Sequence, residues 1–166
     1  MIMNPLILAV AALIPMIVGA VWYNPKVFGT AWMAASGVTE ESMKGAKMGV
    51  IFGLSYLFAF LLASQITVMV IHQNHIYSLL INEVGFDQDG ADIMKYISDF
   101  MTNYGTNFRT FKHGAFHGVV AGLFFVLPVL GTNALFERKG AKYIIINVGF
   151  WTVCLALMGG IICQFS

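Results

Sequence analysis

Charge is what this chain has least of. Of its 166 residues nine are Lys or Arg and eight are Asp or Glu, 10% in all, where a soluble globular domain carries roughly 25%. The two signs nearly cancel at net charge +1, so there is no basic footprint for a nucleic acid. Cysteine is almost missing too. Cys154 and Cys163 are the only two, and their spacing on one expected helix prevents them from bridging, so they are expected to be apolar filler. The sequence has no phosphate-binding glycine loop and no spacing that pairs a nucleophile with a base, so it is read as non-enzymatic. Asp87-x-Asp89-Gly90 lacks the spacing and the distal Glu of a calcium loop and is expected to be a turn.

What the chain has in quantity is hydrophobic: 58% of residues, at a mean hydropathy of +0.78. Four windows, 6–23, 48–71, 114–136 and 143–165, contain no Asp, Glu, Lys or Arg. Each approaches or exceeds the roughly 20 apolar residues that cross a bilayer as a helix. A membrane barrel would show alternation over about ten residues per strand instead of continuous runs. The expected fold is an all-α integral membrane protein, a single polytopic domain over 1–166 with four transmembrane helices. The first window is the one that resembles a signal peptide, with Gly19-Ala20 as a small-residue cleavage site. It lacks a preceding Lys or Arg and ends in Trp22-Tyr23, aromatics suited to the membrane–water interface, so retention is expected.

With four spans, the first and third connections share one side of the membrane. They hold six basic residues, Lys26, Lys44, Lys47, Arg138, Lys139 and Lys142, against three (Lys95, Arg109, Lys112) in the second. That bias predicts both termini and the second loop outside. Asn24-Pro25 reads as a cap and first position for a short interfacial helix over 26–35, with Trp32 in the headgroup layer. Trp22, Tyr23, Pro25 and Trp32 are thus the expected interface anchors. Thr39, followed by Glu40-Glu41, reads as the start of the second long helix. In the second loop, Ile93, Met94, Ile97, Phe100, Met101 and Tyr104 fall at helical spacing, predicting an amphipathic helix over 91–104. Pro15 with Gly19, and Pro128 with Gly131, predict kinks in the first and third spans.

Small residues recur every fourth position at Gly45, Gly49 and Gly53, and again at Gly114, Gly118 and Gly122. Such strips let helices approach closely in lipid. The two helices that carry them run antiparallel, so the strips sit at opposite depths. Each must meet another helix of the chain, a second copy or another membrane subunit. The amides Asn133 and Asn147 are expected to join helices by hydrogen bonds.

The stretch Trp22-Tyr23-Asn24-Pro25, then Phe28-Gly29 and Trp32-Met33, resembles the signature of a bacterial membrane family, domain of unknown function 1761. Asn133, Phe136-Glu137-Arg138, Ile146-Asn147-Val148-Gly149-Phe150 and Leu157-Met158-Gly159-Gly160 are similar to its C-terminal half. The resemblance implies a four-helix protein of the bacterial cytoplasmic (inner) membrane and brings no established activity or site residue.

The sharpest chemical feature is histidine. His72 and His75 lie where the second span exits, and His113 and His117 where the third enters, so all four are expected at one membrane face. Spacings of three and four residues keep each pair on one side of a helix. Together they could supply nitrogens to zinc or copper, with Glu83, Asp87 or Asp99 orienting the rings. Interfacial histidines also serve as simple hydrogen-bonding groups or as proton sensors. Two functions follow: a small non-enzymatic membrane protein that forms a homo-oligomer or joins a larger assembly, or a metal- or proton-handling protein centred on these histidines. Apart from that metal, no cofactor is expected.

Overall fold

The computed structural model describes residues 4–166, all of its regular structure helical. Four stretches are long and apolar enough to cross a membrane: Pro5–Trp22, Met48–Val70, Phe111–Phe136 and Ala141–Phe165. The chain is therefore a multi-pass helical membrane protein. Its outer surface carries Leu6, Ile17, Phe58, Phe124, Val129 and Ile145, each more than 60% exposed. Those side chains belong against lipid, which hydrates neither them nor the backbone they cover.

The first span is two helices. Asn4 caps α1 (Pro5–Ala11) by accepting from the backbone N–H of Leu6 and Ile7, and Pro5 takes a position whose N–H would have no helical partner. The ladder breaks at Ala12 and Leu13, and α2 runs Ile14–Trp22. Pro15 explains the break: it cannot donate, and its ring crowds the carbonyl four residues back, that of Ala11. The third span is interrupted in the same manner. α8 (Phe111–Ala121) passes through a π-helical turn, Gly122–Val126, into α9 (Leu127–Phe136). The turn ends just before Pro128, where a straight ladder would need the missing donor.

α10 (Ala141–Phe165) is the pillar of the bundle, with Cys154, Leu155, Met158, Ile162 and Cys163 fully buried along it. α8 lies closest to it, and the glycines are the reason. A Cβ on Gly114 would stand 2.0 Å from the carbonyl oxygen of Gly159, and one on Gly118 would stand 2.2 Å from that of Leu155. A Cβ on Gly122 would meet Thr152 Oγ1 at 2.3 Å. The second glycine strip of the sequence thus binds α8 to α10.

α5 (Met48–Val70) buries only its second half, through Ala59, Ala63, Ile66, Thr67 and Val70. Its first half leans away and is fastened to α1 by the Tyr56 hydroxyl, which donates to the Ala9 carbonyl at 3.1 Å. A Cβ added to Gly49 or Gly53 would meet nothing within 4 Å. Gly45 does not belong to that helix. It occupies a turn at φ 83°, two residues before Lys47 caps α5, because a left-handed turn needs a residue without a Cβ.

Two further expectations are corrected. Asn24 caps no helix: its side chain accepts from Lys26 N–H inside a turn, and the interfacial helix α3 runs Gly29–Ser36. Gly29 begins it because a Cβ there would lie 2.2 Å from the Tyr23 carbonyl oxygen. Thr39 starts not the second span but the single turn α4, Glu40–Met43, in a reciprocal cap with Ser42. In the second loop the amphipathic helix appears as α7, Asp92–Tyr104, preceded by an unexpected α6, Asn74–Leu80. Asp87 and Gly90 are turn residues at φ 62° and 76°.

Candidate metal centre

Two caps fix where the histidines fall. α5 ends at Ile71, so His72 and Gln73 form the turn into α6. Thr110 caps α8 by accepting from His113 N–H at 3.3 Å, which sets His113 and His117 on its first two turns. Because α5 and α8 both pack on α10, the two sets meet at one end of the bundle. His72 Nε2 and His113 Nε2 are 2.8 Å apart. The ring centroids of His72, His113 and His117 stand 4.9, 5.1 and 4.6 Å from one another. That is a nearly equilateral triangle, and one nitrogen from each ring lies within 4.8 Å of the other two.

His75 stays outside it. Its Nδ1 lies 3.1 Å from the His72 carbonyl oxygen, and its ring centroid is 6.4 Å from that of His72. The turn between α5 and α6 carries it out of the direction in which a continuous helix would have placed it. The acids expected as orienting partners do not reach the cluster: among the described residues no carboxylate hydrogen-bonds to these imidazoles. The rings are bordered instead by Phe108, 5.2 Å from His113, and Phe116, 5.7 Å from His117.

One ring of the cluster, His72, disfavours protons. Burial holds the His72 imidazole below its ordinary value, and the neighbouring His113 and His75 lower it further. A neutral ring is the form that ligates a metal. A tetrahedral ion bound at 2.0–2.1 Å needs ligand nitrogens about 3.3 Å apart. The hydrogen-bonded edge would open slightly and the longer edges would close. Three histidines leave a fourth position free.

The surrounding scaffold was not legible in advance. Phe108 sits at φ 61°, in the left-handed region that bulky residues avoid. It is held there from several sides. The single S–H of Cys163 is shared between the carbonyls of Phe108 and Val70, at 3.3 and 3.4 Å from Sγ. Arg109 Nε donates to the Cys163 carbonyl at 3.2 Å, and Phe111 N–H to Gln164 Oε1 at 3.0 Å. Gln73 Nε2 donates to the carbonyls of Tyr104 and Asn107 at 3.1 and 2.8 Å. Cys163 is therefore a tie as well as filler. Beside the triangle lies a cavity of about 330 Å³, lined by His72, Gln73, Phe100, Tyr104, Asn107 and Phe108.

The expected anchors lie at the other end of the bundle. Trp22 Nε1 donates to the Ile146 carbonyl at 3.2 Å, and the Tyr23 hydroxyl to Asn147 Oδ1 at 3.1 Å. Tyr23 also meets the edge of Trp32, with centroids 5.3 Å apart, while Pro25 gives its carbonyl to the Thr30 hydroxyl. Asn147 thus joins two spans. Asn133 faces outward. The Lys139 ammonium donates to the Ser36 carbonyl, fastening the third loop to α3.

The model of one protein family, described as Protein of unknown function (DUF1761), matches residues 6–163. No curated protein matches the chain. No solved structure matches it either.

Proposed function

The chain belongs to DUF1761, a family that brings it no activity, and from the geometry we propose that it binds a late first-row transition metal ion at one membrane face through His72, His113 and His117. One observation carries this reading: three imidazoles from two antiparallel spans converge so that a nitrogen of each lies within 4.8 Å of the others. Imidazole nitrogens suit zinc and copper. Burial and the neighbouring histidines lower the proton affinity of His72, which favours the neutral ring that ligates a metal. The role is one of binding rather than catalysis. The test is metal analysis after equilibration of the purified protein with zinc or copper. One ion per chain is expected, lost in His113→Ala and His117→Ala and kept in His75→Ala. A wild type that retains no stoichiometric ion overturns the reading.

The basic bias of the first and third connections supports placing the cluster and both termini outside the bacterial cytoplasmic membrane. Thiol labelling of Ser78→Cys from outside, with Gly140→Cys protected, is the expected pattern; the reverse pattern inverts the protein.

A second reading concerns the lipid-facing half of α5. Gly49 and Gly53 lie on open helix surface, whereas Gly114, Gly118 and Gly122 are filled by α10. The unfilled strip favours association with a second copy or another membrane subunit. Mass measurement in mild detergent should give a defined oligomer, dissociated by Gly53→Leu; a wild-type monomer overturns it.

A further inference from the structure

The first span breaks at Pro15 and the first half of α5 leans away from the bundle. Between them, against α10, lies a cavity of about 800 Å³. It is at the end of the bundle away from the histidines. One wall reaches from Pro15 to Tyr23 and the facing one from Ile51 to Phe58. At 1.5 Å per helical residue each wall is about 11–12 Å long, less than half of the roughly 30 Å hydrocarbon core. A helix from a second copy would need a trough of full depth. A molecule resident in one leaflet would not.

The walls say what kind of molecule. Tyr23 closes α2, Phe52 and Phe58 come from α5, and Phe150 and Trp151 come from α10, while no Asp, Glu, Lys or Arg lines the space. A charged group would find no counter-charge there, and a flat uncharged one would find ring faces. Ser55 is the polar exception. Ser64, Thr67 and Thr152, elsewhere in the spans, each donate to the carbonyl four residues back. The Ser55 hydroxyl makes no such bond, and no other among the described residues, although it lies within a span and lines the cavity. Lipid supplies no water to take its proton, so an occupant with an acceptor oxygen is favoured.

We propose that this cavity binds a lipid-soluble quinone, with its ring among the aromatic side chains and a ring carbonyl accepting from the Ser55 hydroxyl. A quinone meets the three demands together: it is flat, it is uncharged, and its carbonyl is an acceptor that brings no proton of its own to be placed. The tail of a phospholipid is as apolar, but it has no acceptor at this depth and no flat face. Binding is non-covalent and moves no electron. It is independent of any ion at the histidines.

The test uses the full chain in phosphatidylcholine nanodiscs, where every acyl chain of the disc competes for the cavity. The probe is a benzoquinone carrying a ten-carbon tail, followed by its quenching of tryptophan fluorescence, since Trp151 is in the wall. Saturable quenching at one quinone per chain is expected. Decylbenzene keeps the ring and tail without the carbonyls, and should compete about tenfold more weakly than unlabelled quinone, the worth of one hydrogen bond. Ser55→Ala should weaken quinone binding by the same factor and remove that preference. Ala20→Phe fills the cavity from a residue exposed to it and should lose binding, whereas Ile145→Phe, outside the cavity, should keep it. Quenching that never saturates in the wild type assigns the cavity to the acyl chains of the bilayer and overturns the proposal. Saturable binding that is indifferent to both the carbonyls and Ser55→Ala overturns the quinone and leaves a site for apolar rings.

Discussion

His72 Nε2 lies 2.8 Å from His113 Nε2, across 41 residues of sequence. Without an ion, one Nε2 must carry a proton and the other must be bare, so the contact cannot form between two fully protonated rings. Protonating both puts like charges in contact beside a third ring, His117, 5.1 Å from His72.

Stability of the metal-free protein should therefore depend on pH in a stated direction. His72 has its folded value lowered from 6.5 by burial and by His113 and His75. The unfolded chain thus binds more protons than the folded one as pH falls. The contribution is complete above about pH 6.5 and is lost as pH drops through the lower folded value. The melting temperature in detergent should fall between about pH 7.5 and about pH 5.5, and less so in His72→Asn. Parallel curves for the two proteins would show that His72 contributes nothing.

The two glycine strips should respond oppositely to the same change. Gly118→Ala places a methyl 2.2 Å from the Leu155 carbonyl oxygen; backbone cannot yield as a side chain does, so the loss should reach or exceed the roughly 1–3 kcal/mol of an overpacked core. In the dissociated single chain Gly53→Ala meets open space and should gain up to about 1 kcal/mol through helix propensity, whereas in an oligomer packed through this strip the added methyl would offset that gain. Denaturant titration of both variants decides it. Equal losses would mean that α5 is packed as closely as α8.

Tyr23→Phe should cost about 0.5–1.5 kcal/mol, because it removes the hydrogen bond to Asn147 Oδ1 and leaves the indole bond of Trp22 intact. A double-mutant cycle with Asn147→Leu should return a coupling of that size. Additive losses would show that the two side chains act separately.

These contacts show why part of the molecule was legible and part was not. Length and hydropathy place the spans within a few residues, because lipid permits one local solution, a helix with its backbone bonds closed. The breaks at Pro15 and Pro128 follow from a missing donor. The convergence of His72 with His113 and His117 follows from antiparallel spans that end at one depth. The loss of His75 does not, since it depends on α5 stopping at Ile71 instead of continuing. Nor does the direction of each glycine strip: Gly114 and Gly53 sit in like patterns, and only the third dimension shows that α10 fills one of them. Gln73, Phe108 and Cys163 act through buried amide and sulfur contacts between segments far apart in sequence, and no local spacing marks those.

Phe108 offers the sharpest separation of stability from function. Its backbone at φ 61° is a conformation that a bulky side chain resists, and the side chain is 66% exposed, so burial does little to offset the strain. What the ring does is border His72 and His113. Strain of this kind, about 1–3 kcal/mol per residue, persists where surrounding contacts impose it; here Cys163, Arg109 and Gln73 hold the segment. Asn adopts the left-handed region more readily and avoids the unfolded-state entropy of Gly. Phe108→Asn should therefore raise stability by about 1 kcal/mol while opening the cluster to water, so that a bound ion leaves faster to an added chelator. Thermal melts and chelator-release rates measured on the same preparation test both halves. A variant that is less stable, with an unchanged release rate, would mean that Phe108 is held in place by its own packing and has no part in closing the site.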